Sequence, residues 1–176
     1  DMAAITVWGN SSDIQVEEND IINMGEYAIK AQDAEDISIV RNQIVNISHT
    51  GVILQKTLMV SIFWNYFEPT TSIGTRAVFT TMSENVSIVR NLVYKTQCGL
   101  TVLQSKKIAI KHNLIEGAAQ TSIFGSFGVN IYNSTIVEAI NNTITKMSYF
   151  GLGVYISPGT LVDSNVLAEN MLSGIR

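Results

Sequence analysis

Seven asparagines recur along this chain at nearly constant intervals, and their spacing constrains the fold more than any other feature. Asn19, Asn42, Asn65, Asn91, Asn113, Asn142 and Asn165 are separated by 23, 23, 26, 22, 29 and 23 residues. A second column fixes the register: Ala28, Gly51, Ala77, Gly99, Gly128 and Gly151 each stand 14 residues before the next of these asparagines. All variation in length therefore falls between an asparagine and the following small residue. Two invariant arcs and one elastic arc per repeat describe a solenoid coil with one variable loop.

Within the 14-residue arc apolar residues alternate, which is the period of a strand and not the 3.6-residue period of an amphipathic helix. One step after the small residue stand Ile29, Val52, Val78, Leu100, Val129 and Leu152; further along come alternating pairs such as Ile37 and Ile39, or Ile108 and Ile110. Two steps beyond each asparagine stand Ile21, Ile44, Phe67, Val93, Ile115, Ile144 and Leu167. These columns define an all-β chain of three short strands per coil and roughly seven coils of about 23 residues. β-Branched residues dominate them, as a pleated, half-buried surface prefers. The asparagines themselves are expected to take the left-handed turn conformation that Asn tolerates. Stacked at about 4.8 Å, each amide is expected to bond its neighbour in the next coil. A Ser/Thr column, Ser11, Thr57, Ser83, Ser105, Ser134 and Ser157, marks another turn.

The stretches GVIL, SIFWNYF and GLTVLQSKKIAIKHNLI (51–54, 61–67 and 99–115) resemble the right-handed parallel β-helix repeat of the pectin-lyase-like superfamily, and the pattern covers essentially the whole chain. The resemblance implies right-handed coils whose asparagine turn joins the second and third strands, with first strands starting near Ala28, Gly51, Ala77, Gly99, Gly128 and Gly151. It also implies an extracellular or cell-surface setting and a polysaccharide lying along the outer face of the first-strand sheet. Residues 1–176 are expected to form one β-helix segment of a longer protein, because Ile5–Trp8 and Gly174–Arg176 both read as first strands without a cap. Flanking domains or a protein partner are expected to cover the ends.

Counting from the small residues, the outward positions of the first strands are Val7, Lys30, Ile53, Phe79, Thr101, Asn130, Gly153 and Arg176, then Gly9, Gln32, Gln55, Thr81, Leu103, Tyr132 and Tyr155. Lyases of the resembled superfamily gather acidic calcium ligands and a basic residue on this face, and hydrolases gather paired carboxylates. No acidic residue occupies either column, which argues against catalysis by this stretch; a lyase or glycoside hydrolase is what the resemblance would imply if it were active. The charged residues closest to the role are Lys30, Asp33 and Glu35 in the first full coil, with His49 in a variable loop. Phe79, Tyr132 and Tyr155 present rings, and Gln32, Gln55 and Asn130 present amides, to a carbohydrate on the same face. Tyr132 and Tyr155 are expected to stack on one another in adjacent coils.

Two variable loops, residues 69–76 and 117–127, emerge beside that face, where specificity usually resides. The second, counted through Gly128, has three glycines but no lysine or following helix, so it is not a phosphate loop. Outward rows on the other faces, Val40, Phe63, Val89 and Ile140 with Trp64, and Tyr66, Leu92 and Leu114, are more apolar than water favours and suit a covering partner. Five N-x-S/T triplets, at Asn10, Asn46, Asn85, Asn133 and Asn141, fall at or beside turns and suit glycosylation of a secreted protein. Eleven basic against 15 acidic residues, with no basic stripe, exclude binding along a nucleic-acid backbone. No run approaches the roughly 18 apolar residues of a membrane span. The two histidines and single cysteine suggest no metal site, and no cofactor is implied.

Overall fold

The computed structural model describes residues 2–70, 74–118 and 126–175. Arg176 and parts of both variable loops lie outside that range. Every coil supplies one strand to each of three sheets, and every pairing is parallel. The first sheet stacks Ala3–Trp8, Tyr27–Gln32, Thr50–Gln55, Arg76–Thr81, Cys98–Leu103, Phe127–Tyr132, Phe150–Tyr155 and Ser173–Ile175. The second stacks Ile14–Glu17, Glu35–Val40, Leu58–Phe63, Glu84–Val89, Lys106–Lys111, Thr135–Ile140 and Leu161–Asp163. The third stacks Asp20–Ile22, Gln43–Val45, Tyr66–Glu68, Leu92–Thr96, Leu114–Gly117, Thr143–Thr145 and Val166–Ala168.

The inward columns form one continuous core in which Ile29, Val52, Ile39, Ile62, Phe67 and Ile115 are fully buried. Burying each such side chain contributes about 1.5–3 kcal/mol. The small column has a steric cause. A Cβ added at Gly51 would stand 2.8 Å from Phe67 Cδ1 and 2.7 Å from the Ala77 carbonyl oxygen. One at Gly128 would stand 2.1 Å from Ile144 Cγ2 and 2.5 Å from the Gly151 oxygen. The first strand is pressed between the inward residue of its own third strand and the backbone of the next coil, so only a minimal side chain fits.

The asparagine column is a continuous ladder. The N–H of Asn42 donates to Asn65 Oδ1 at 2.9 Å, that of Asn65 to Asn91 at 2.9 Å and that of Asn91 to Asn113 at 3.0 Å. The same pattern runs from Asn19 at one end and through Asn142 to Asn165 at the other. Each Nδ2 from Asn42 to Asn142 also donates to a carbonyl of the preceding coil, as Asn91 does to Ile62 at 2.9 Å. The left-handed backbone, however, lies one residue earlier: Glu18, Arg41, Trp64, Arg90, His112, Asn141 and Ser164 have φ between 53° and 57°. The asparagine is needed for its amide, which closes hydrogen bonds that the buried turn would otherwise leave open, and not for its φ. Ser83, Ser105, Ser134 and Ser157 make a second ladder: each hydroxyl donates to the carbonyl two residues before it and accepts the N–H of the preceding coil.

The first coil departs from simple counting. Thr6 pairs with Lys30, Val7 with Ala31 and Trp8 with Gln32, so Thr6 and Trp8 face outward where counting places Val7 and Gly9. Val7 is buried and Trp8 is 58% exposed. The cause is one extra residue in the following turn, where Gly9 and Asn10 both take positive φ.

Candidate functional site

The outer face of the first sheet carries three columns in register: a leading one (Tyr27, Thr50, Arg76, Cys98, Phe127, Phe150), a middle one (Thr6, Lys30, Ile53, Phe79, Thr101, Asn130, Gly153) and a trailing one (Trp8, Gln32, Gln55, Thr81, Leu103, Tyr132, Tyr155). At the C-terminal end these columns, with Tyr149 beside them, form a shallow, open groove of about 280 Å³ lined by Phe127, Asn130, Tyr132, Tyr149, Phe150 and Tyr155. The wall at the leading edge is a packed aromatic cluster. The Phe127 and Phe150 centroids are 5.7 Å apart, and Tyr149 sits 5.4 Å from Phe127 and 3.9 Å from Phe150. Ser126 and Ser148, with hydroxyls 3.0 Å apart, tie together the segments that lead into it.

Tyr132 and Tyr155 are register partners, but no ring contact joins them. The Tyr155 ring turns back along its own strand instead; its Cε2 stands 2.9 Å from where a Gly153 Cβ would be. Absence of a side chain at Gly153 lets the ring lie over the middle column, while Tyr132 stays 44% exposed. Asn130, the register partner of Gly153, has a buried Oδ1 without a hydrogen-bond partner. Phenol rings and an unsatisfied amide on a rigid parallel sheet make a surface that packs on apolar ligand faces and exchanges hydrogen bonds with hydroxyl groups.

The N-terminal end of the face is arranged differently. Lys30 Nζ lies 5.5 Å from the Trp8 ring centroid and 5.9 Å from that of Tyr27, and Tyr27 meets His49 edge-on at 5.2 Å. His49 Nδ1 is 2.9 Å from Thr50 Oγ1. Asp33, at a turn with φ 51°, accepts from Gln32 Nε2 at 3.1 Å. Asp33 and Glu35 do share a shallow depression, but its lysine is Lys56 and it lies over the turn beside the face. Lys30, Asp33, Glu35 and His49 therefore do not converge. Among the described residues no three His, Cys, Asp or Glu gather as metal ligands.

Midway along the face the Arg76 guanidinium covers Phe79 at 5.2 Å, and Gln32 and Gln55 are register neighbours in the trailing column. Burial pushes the Cys98 thiol above its usual range, with the Arg76 charge opposing in part, so it is a poor nucleophile at neutral pH. On the third sheet Tyr66 donates to Glu68, and that bond pushes the phenol up to about 12; Lys95 holds the Glu68 carboxyl low from the other side. The apolar row of the second sheet is in register, running Val40, Phe63, Val89, Lys111, Ile140, with Trp64 beside it under the Arg90 guanidinium at 5.7 Å. All five triplet asparagines, Asn10, Asn46, Asn85, Asn133 and Asn141, have positive φ, which gives each a backbone reason to be Asn.

Sequence reasoning found Asn130, Tyr132 and Tyr155 but missed Phe127, Tyr149 and Phe150, which form the groove's wall. Their signal is the Phe-Gly pair that occurs twice, at 127–128 and 150–151, placing a ring immediately before the small residue.

The family described as the right handed beta helix region matches residues 3–127, and the chain belongs to it. No protein of curated function matches the chain in sequence. Among solved structures it is similar to the Streptococcus pneumoniae surface protein and adhesin PfbA, with TM-score 0.68 and 11% identity over 96% of this chain and 68% of that one. It is also similar to the A-modules of two Azotobacter vinelandii mannuronan C-5 epimerases. For AlgE4 the TM-score is 0.61 and the identity 14%, covering 99% of this chain and 48% of that one. For AlgE6 the values are 0.56 and 12%, covering 98% and 55%. The chain thus spans about half of each epimerase module, and these likenesses concern the fold. Among the described residues no helix is long and apolar enough to cross a membrane.

Proposed function

We propose that this β-helix is a glycan-binding segment of a larger extracellular polysaccharide-binding or polysaccharide-processing protein, and that the segment holds its ligand without cleaving it. The observation that carries this reading is the aromatic groove around Asn130, on the sheet face where the superfamily resemblance expects polysaccharide. A mannuronan epimerase module and a surface adhesin among the structural neighbours support both a carbohydrate-related and a surface-exposed role. Among the described residues no charged groups converge on the face, which supports binding over catalysis. Phe79, Gln32 and Gln55 extend the proposed surface toward the N-terminal coils, and the five exposed or turn-borne triplets suit glycans of the protein's own.

The test is adsorption to a panel of soluble and insoluble polysaccharides, followed by titration of the best ligand against a Tyr132→Ala/Tyr155→Ala double variant. Loss of about tenfold or more in affinity is expected, since each aromatic contact contributes on the order of 1 kcal/mol. An unchanged affinity would refute the assignment of the groove. A second reading, an adhesive or structural scaffold within a cell-surface protein, is favoured by the half-buried Phe63, Val89 and Ile140 with the exposed Trp64 beside them, which a protein partner or flanking domain would cover; Val40, in the same row, is already buried. Retained surface association in the double variant, lost on Phe63→Asp, would select it.

A further inference from the structure

The groove's chemistry bears on which glycans it takes, given the glycan-binding reading above. Its six lining residues are all uncharged. The positions in register with them one coil earlier, Cys98, Thr101 and Leu103, carry no formal charge either at neutral pH. A carboxylate pressed against Phe127, Tyr149 and Phe150 would lose part of its water without gaining a cation from the described residues, and desolvating an unpaired charge is unfavourable. Among the described residues the cations elsewhere on this face are engaged: Arg76 lies on Phe79 at 5.2 Å and Lys30 on Trp8 at 5.5 Å; Arg176, which the repeat places one coil beyond Gly153, lies outside the described residues. A net charge of −4 adds a further repulsion for polyanions. The groove's polar equipment matches hydroxyl groups instead. The Asn130 amide and the phenols of Tyr132 and Tyr155 each offer donors and acceptors, and the Tyr155 ring, laid over Gly153, offers a face for the C–H side of a pyranose.

We infer that this groove selects neutral glycans, hexopyranose chains without carboxylate or sulfate groups, and discriminates against uronic-acid chains. The selection is built into three successive positions of the middle column, Thr101, Asn130 and Gly153, none of which is basic. The experiment is a calorimetric titration of the whole chain with hexasaccharides of equal length: neutral glucose and mannose oligomers on one side, mannuronate and galacturonate oligomers on the other, each at low and high salt. The neutral oligomers should bind with little salt dependence and uronates at least about tenfold more weakly. Tyr155→Ala should weaken neutral binding, and Thr101→Lys should narrow the gap by strengthening uronate binding. Uronates that bind as tightly as neutral sugars and are lost in Tyr155→Ala would overturn this inference while leaving the groove a glycan site. Uronates preferred in a manner insensitive to Tyr155→Ala but abolished by Lys30→Gln would also overturn it, moving the site to the other end of the face. No binding by either class, with Tyr155→Ala and the parent chain giving the same circular dichroism, would overturn the glycan-binding reading itself.

Discussion

At the N-terminal end of the first sheet, Tyr27, Lys30 and Trp8 occupy the same three columns that Phe150, Gly153 and Tyr155 occupy at the C-terminal end. Both ends pair rings in the leading and trailing columns, and only the middle residue differs in kind. Lys30 reaches between its rings and supplies the cation that their faces attract. Asn130 and Gly153 are too short to do so, and the rings there enclose open space. On a parallel sheet whose backbone repeats from coil to coil, the middle residue alone decides whether an aromatic pair is satisfied by its own chain or left for a ligand.

The largest expected contrast lies in the ladder beneath the two ends. Asn142 is buried and shares its amide with Asn113, Asn165 and the Ile110 carbonyl, so Asn142→Ala should lower stability by about 3 kcal/mol in denaturant titration. Asn19 has a partner on one side only, and Asn19→Ala should lower it by about 1 kcal/mol; equal losses would break the contrast. Next comes the small column. Gly128→Ala, which meets Ile144 and the Gly151 carbonyl, should destabilise by about 2 kcal/mol through overpacking, whereas Ala28→Gly at the matching N-terminal position should remain within about 1 kcal/mol.

A reciprocal exchange addresses the middle column itself. Asn130→Lys should close the C-terminal groove in the manner of Lys30 and reduce oligosaccharide affinity about tenfold, roughly 1.4 kcal/mol. Lys30→Asn should leave that affinity unchanged and alter Trp8 fluorescence. The smallest effect concerns the turns that follow the trailing column. Asp33 and Ile156 both sit there with φ near 50°, but a β-branched side chain is ill suited to that conformation. Ile156→Asn should therefore stabilise by about 1 kcal/mol, and Asp33→Ile should destabilise by a similar amount.

The repeat was legible because it arises from packing that every coil must satisfy. The asparagine spacing marks where a buried turn needs an amide, and the small column marks where the third strand presses on the first. Legibility failed where one residue's geometry outweighed the pattern. Asn10 adds a residue to the first turn and moves Val7 inward and Trp8 outward, although counting from Asn19 gives the opposite. The left-handed φ belongs to the residue before each ladder asparagine, because conformation and amide chemistry are separate demands met by adjacent positions. Tyr155 and Tyr132 sit in one column as spacing requires, yet a glycine two residues away draws the Tyr155 ring elsewhere.

The sequence by itself determined a three-stranded parallel coil, its register over most of its length and the buried columns, since these follow from period-two alternation and constant offsets that any stacked solution must keep. Tertiary structure alone decided which outward side chains meet. Phe127, Tyr149 and Phe150 became a wall, Lys30 a plug and Asn130 the polar floor of a groove through side-chain directions that spacing does not encode. Outward rotamers answer both to neighbours in the same strand, as Tyr155 does to Gly153, and to neighbours in adjacent coils, which lie 22 to 29 residues away along the chain but one strand spacing away in space.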